Sequence, residues 1–108
     1  MARIDPQEFA ETVKQHYRFL KGLQGGRRAM LILRNISKYR LPKINLSNSI
    51  VAGTTFSGCN LEEANFSSAD MFGCDLSHAV LRDANLTKAD LRGTNLLGCD
   101  FSGADLTN

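Results

Sequence analysis

The chain has only two histidines and three cysteines in 108 residues, and no stretch approaches the ~20 apolar residues of a transmembrane helix. It also lacks the apolar run of a signal peptide near its N-terminus, so a cytoplasmic location is expected. Cys59, Cys74 and Cys99 show no C-x2-C spacing, which argues against a metal site. Gly25-Gly26-Arg27-Arg28 is not a phosphate-binding loop, because the G-x4-G-K-[ST] arrangement is missing. Nothing in the sequence places His16 and His78 together, and catalysis needs an acid, base or nucleophile held among partners. The expectation is no enzyme activity, no cofactor and no metal.

What is present is a strict period of five. Leu31, Ile36, Leu41, Leu46 and every fifth residue onward to Leu106 are apolar, sixteen in all. Small residues such as Ala64, Ala69, Cys74 and Ala79 stand two places before the later members, and Asn or Asp usually lies between. Five helical residues advance about 140° around the axis, so the leucines of a helix would leave no polar face. In a flat strand an odd period sends successive leucines to opposite faces. A chain that turns every five residues keeps them all inside, which is a solenoid. Columns at twenty-residue spacing, such as Gly53, Gly73 and Gly93, suggest four five-residue sides per coil.

The A-(D/N)-L-x-x pattern of Ala64-Asn65-Phe66-Ser67-Ser68 and Ala89-Asp90-Leu91-Arg92-Gly93 resembles the pentapeptide-repeat proteins. That resemblance implies a mainly β fold, a right-handed quadrilateral parallel β-helix of about four coils. It also implies that the central Leu or Phe and the small residue two before it point inward, with the other three outward. The pattern is strong from Ile44 onward. Arg34 and Tyr39 occupy inward slots meant for small residues, so the first coil, residues 29–48, is expected to be irregular. All three cysteines fall in the small inward slot, where they read as buried thiols. Cys59 and Cys99 lie two coils apart, roughly 9–10 Å, too far for a disulfide.

Residues 1–28 read as an amphipathic helix and Gly-rich turn capping a solenoid of residues 29–108. Asp5 suits an N-cap, Pro6 the first helical position, and Glu8 a capping box. Phe9, Val13, His16, Tyr17, Leu20 and Leu23 follow a helical apolar stripe. Residues 1–43 carry ten Lys/Arg against three Asp/Glu, net +7; residues 44–108 carry three against eight, net −5. The basic helix has a rival reading as a membrane-surface anchor, which Glu8 and Glu11 weaken. Arg27, Arg28, Arg34, Lys38, Arg40 and Lys43 form a basic cluster with no nucleic-acid recognition motif beside it, so a solvated surface is the simpler reading.

Outward apolar residues mark where a partner would sit. Ile50, Phe72, Val80 and Leu97 occupy slots that are normally polar, and Ile50 and Phe72 on one side would form a patch with Arg92 nearby. Glu62, Glu63 and Asp83 gather on another side, with Arg82 stacked near Glu62. Asp105-Leu106-Thr107-Asn108 is still in phase, so either two copies stack end to end through Phe101 and Leu106 or the chain continues. Regular rods lack deep pockets. The function expected is therefore a non-catalytic protein-interaction scaffold with an unidentified protein partner. The alternatives are a DNA-mimicking modulator of DNA gyrase or topoisomerase, which the resemblance allows, and a membrane-surface adaptor.

Overall fold

The computed structural model describes residues 2–108; Met1, the first residue of the expected cap, lies outside them. One helix, α1 (Pro6–Leu20), precedes a long coil. Asp5 caps α1 by accepting the Gln7 N–H at 3.1 Å, and Pro6 sits in the first turn, where its missing N–H costs nothing. The expected capping box does not form. Glu8 turns outward instead to the Arg34 guanidinium, with oxygens 2.8 and 2.9 Å from its nitrogens.

From Met30 onward the chain turns every five residues and pairs with itself in parallel, twenty residues on: Met30 with Ile50, Asn35 with Thr55, Arg40 with Asn60, Asn45 with Asn65. Four columns of bridges result, called here the Met30, Asn35, Arg40 and Asn45 faces. The β-helix named by the resemblance is built without extended strands. Among the described residues every pairing is a single-residue bridge, because a turn every five residues leaves no room for a longer ladder.

The turns explain the composition. In Leu41-Pro42-Lys43-Ile44, the Ile44 N–H donates to Leu41 O at 3.2 Å, Pro42 holds the second position, and Lys43 adopts φ 64°. A positive φ at the third position is the signature of a type II turn. Every residue in this slot from Leu33 to Gly103 has positive φ, and none is β-branched, which that conformation would penalise. Asn or Asp before the central apolar residue holds the next turn open: Asn65 Oδ1 accepts the Ser67 N–H at 2.9 Å, and Asp75 Oδ1 the Ser77 N–H at 2.9 Å.

The central residues stack into the core. All but one from Leu31 to Leu86 are buried, with Phe56 and Phe66 packed edge to face at 5.6 Å. The exception is Leu41, which is only partly covered. Each such burial contributes about 1.5–3 kcal/mol of transfer free energy.

The first coil keeps the same register, and its irregularity is confined to two turns. Arg34 and Tyr39 are too large for the inward slot and swing out toward the N-terminal segment. The Tyr39 hydroxyl donates to Ile4 O at 2.9 Å, and its ring stacks on Phe9 at 5.6 Å. The Thr54 hydroxyl in the next coil accepts the Arg34 N–H at 3.1 Å and donates to Leu31 O, bridging the turn that Arg34 opens. Cys59 lies below Tyr39, and its thiol donates to Ile36 O at 2.8 Å.

The N-terminal segment meets the upper edge of this coil, whose backbone groups would otherwise lack a neighbour. Ile4 N–H donates to Asn35 O at 2.8 Å, and the Asn45 N–H donates to the Tyr17 hydroxyl at 2.9 Å.

Candidate interaction surfaces

Burial pushes the Cys59 thiol up to about 11 and the Cys74 thiol up to about 12, far from the thiolate form. Cys99, less covered, is also raised by burial and then by the Asp100 charge. His16 is fully buried on the side of α1 that faces the coil, whereas His78 is exposed on the coil, its ring over Gly98. Among the described residues no cluster of three or more His, Cys, Asp or Glu is positioned to hold a metal ion.

Apolar exposure concentrates instead on the Met30 face. Met30, Ile32, Leu33 and Phe72 are 61, 46, 66 and 51 % exposed, and Ile50 is half-buried between their levels. The face exists because the columns align: Met30 bridges Ile50, which bridges Asp70, which bridges Asp90. Leu33 lies flat along it, its Cδ2 only 2.6 Å from where a Cβ on Gly53 would stand. Gly53 therefore serves twice, supplying φ +71° and a floor for Leu33. Lower on the face, the Arg92 guanidinium lies 5.5 Å from the Phe72 ring centre and pairs with Asp90 at 2.8 Å. Arg92, through a side-chain hydrogen bond, holds the Asp90 carboxyl below its ordinary range. The face thus runs from apolar at the top to charged at the bottom.

Of the residues singled out from the sequence, Ile50, Phe72 and Arg92 share this face. Leu97 does not; it projects from the Asn35 face, 70 % exposed. Val80 stands on the Arg40 face, half-buried. Glu62, Glu63 and Asp83 lie along the Arg40 face, interrupted by cations: Lys43 reaches Glu63 at 3.7 Å. Arg82, expected near Glu62, pairs with Asp100 at 3.2 Å, because Asp100 follows Val80 in the next coil down. Phe101 and Leu106 sit at the lower rim, partly open at 36 and 49 %. Sequence reasoning missed Met30, Ile32 and Leu33. The signal was there for two of them, since Met30 stands twenty residues before Ile50 and Ile32 forty before Phe72 in the same outward slots, whereas Leu33 fills the slot that holds Gly53 in the next coil.

A profile of pentapeptide repeats matches residues 43–77 and 69–108, eight copies in all. The chain belongs to the pentapeptide-repeat family. No curated protein matches it. Among solved structures it is similar to a pentapeptide repeat protein from the Arabidopsis thaliana thylakoid lumen, with 32 % identity and a TM-score of 0.72 over 73 % of this chain and 55 % of that one. It is also similar to QnrB1, a plasmid-mediated fluoroquinolone resistance protein, with 26 % identity and a TM-score of 0.64 over 68 % of this chain and 39 % of that one. This pentapeptide-repeat chain therefore spans about half or less of these relatives' length. Its relatives share the β-helix.

Proposed function

We propose that this pentapeptide-repeat chain is a non-catalytic cytoplasmic scaffold that binds a protein partner through its Met30 face. We take the coil to be a right-handed quadrilateral helix of about four turns, which the twenty-residue register and the family support. The observation that carries the functional reading is the shared exposure of Met30, Ile32, Leu33 and Phe72 on one face, beside an Asn45 face made chiefly of Asn, Ser and Thr. An apolar patch gathered on one face of a mostly polar coil is the feature that a protein contact buries. A photo-crosslinking residue in place of Phe72 should capture one discrete protein in the native cell, and the same residue at Ser68 on the Asn45 face should not. Equal labelling from both positions would remove the reading.

A second reading is modulation of DNA gyrase or topoisomerase by charge mimicry. The net −5 of residues 44–108 and the likeness to QnrB1 support it. The pairs Lys43–Glu63 and Arg82–Asp100 weaken it, because they break the negative potential of the Arg40 face. Inhibition of gyrase supercoiling by the purified chain is the test.

Self-association through the lower rim is compatible with either reading. A dimer in light scattering that Leu106→Glu converts to monomer would place the contact there.

A further inference from the structure

A groove of about 640 Å³ runs between α1 and the first coil, on no residue of the Met30 face. Phe9 and Val13 of α1 form one wall, Leu41 and Ile44 of the coil the other, and Leu23, half exposed, closes one end. The rim is basic. Lys14, Arg18 and Lys21 border the groove at spacings of four and three, so the three charges follow one line over about 10 Å. Among the described residues neither Lys14 nor Lys21 forms an ion pair. Arg18 is fixed in place, its Nε donating to Gln24 O at 2.8 Å.

We propose that this groove seats an acidic amphipathic helix from a partner protein. The apolar walls suit a helix's apolar stripe, and cations at i, i+4 and i+7 match acids at the same spacing along its edge. The charge count separates this occupant from others. A fatty acid brings one carboxylate and leaves two of the three cations unmatched. A bilayer surface is too flat to enter a trough bounded by α1 on one side and the coil on the other. A basic peptide would meet like charge along the whole rim. α1 would then act twice, covering the coil above and offering half of a binding cleft to the side.

The test is an NMR titration of the whole methyl-labelled chain with a synthetic amphipathic peptide. The probe carries a leucine stripe with glutamates at i, i+4 and i+7 beside it. Its controls are the same peptide with lysine for glutamate and a scrambled version. The expected result is saturable shifts of the Val13, Leu23, Leu41 and Ile44 methyls with the acidic helix alone. The Lys14→Glu/Lys21→Glu double variant, both sites being exposed, should keep the wild-type melting curve and bind about tenfold more weakly or worse. Three outcomes overturn the proposal: no shift of these methyls at low salt, equal binding of the scrambled or lysine peptide, or undiminished affinity in the double variant. Sodium oleate and phosphatidylglycerol vesicles run in parallel. Tighter, charge-dependent occupation of the groove by either would assign it to that ligand and reject the helix.

Discussion

The imidazole of His16 ties α1 to the coil through Ser47: its Nε2–H donates to Ser47 O at 2.8 Å, while Nδ1 accepts the Ala29 N–H at 2.9 Å. Both bonds require the neutral ring, because Nδ1 must offer a lone pair. Burial, and secondarily the Arg28 charge, hold its pKa below the ordinary value, opposed by the Ser47 carbonyl.

Acid should therefore loosen the junction before it affects the carboxylates. The unfolded chain binds a proton near pH 6.5 and the folded chain only below that, so the stabilisation is complete above about pH 6.5 and is lost as pH falls from there toward the folded value. Glu8, Asp90, Asp100 and Asp105 all have lowered pKa values, so their contribution disappears at more acidic pH still. Thermal melts between about pH 7.5 and 5 should show a falling midpoint in the wild type. His16→Phe should melt lower at neutral pH, leaving two buried backbone groups unpaired at about 1–3 kcal/mol each, and its midpoint should be flat across the window. A pH-independent wild type would contradict the neutral, doubly bonded imidazole.

Adjacent residues in one pentad should differ sharply. Leu81 is fully buried in the mid-stack, whereas Arg82 points outward to Asp100. Leu81→Ala should cost about 2–5 kcal/mol, and Leu81→Lys should prevent folding by burying an unpaired charge. Arg82→Lys should leave the urea midpoint almost unchanged. Similar midpoints for the two lysine variants would be incompatible with the inward and outward register.

Two buried hydroxyls should respond in opposite directions. Ser49 Oγ is buried and, among the described residues, the one such side-chain atom without a partner; the same column holds Ala29, Ala69 and Ala89. Ser49→Ala should stabilise by about 1 kcal/mol, removing an unpaid desolvation. Thr54→Val should destabilise by about 1–3 kcal/mol, because its hydroxyl bridges Arg34 N–H and Leu31 O across an open turn. Paired chemical denaturation curves would decide both.

Thiol labelling should read coil order. Cys99, in the last coil and only partly covered, should react first with a water-soluble alkylating agent. Cys59 and Cys74 are buried and stay protonated at neutral pH, so their modification should wait for unfolding. Mass spectrometry of partially labelled protein gives the order, and early modification of Cys74 would refute the stacked core.

The cap was only partly legible. Asp5 and Pro6 announced the helix start, and Phe9 and His16 did turn toward the coil. Leu23, placed on the same stripe, lies beyond the end of α1 and stays half exposed. Glu8 read as a local capping group and became a long-range partner of Arg34. His16 read as one histidine on an apolar side, and its two backbone partners, 13 and 31 residues away, left no mark in the local pattern.

The repeat is written in the pentads themselves: a turn every five residues, the buried column, the Asn and Asp that brace most turns, and the avoidance of β-branched residues where φ is positive. Those constraints are local and steric, and act on each pentad separately, so they recur in the sequence and can be counted. Three features emerge only once the chain is folded: which outward residues share a face, the departure of Arg34 and Tyr39 from the coil toward the N-terminal segment, and the docking of α1 that leaves a basic-rimmed groove beside Leu41 and Ile44. These depend on where a non-repeating helix comes to rest, set by a few hydrogen bonds and apolar contacts between distant residues, each made once.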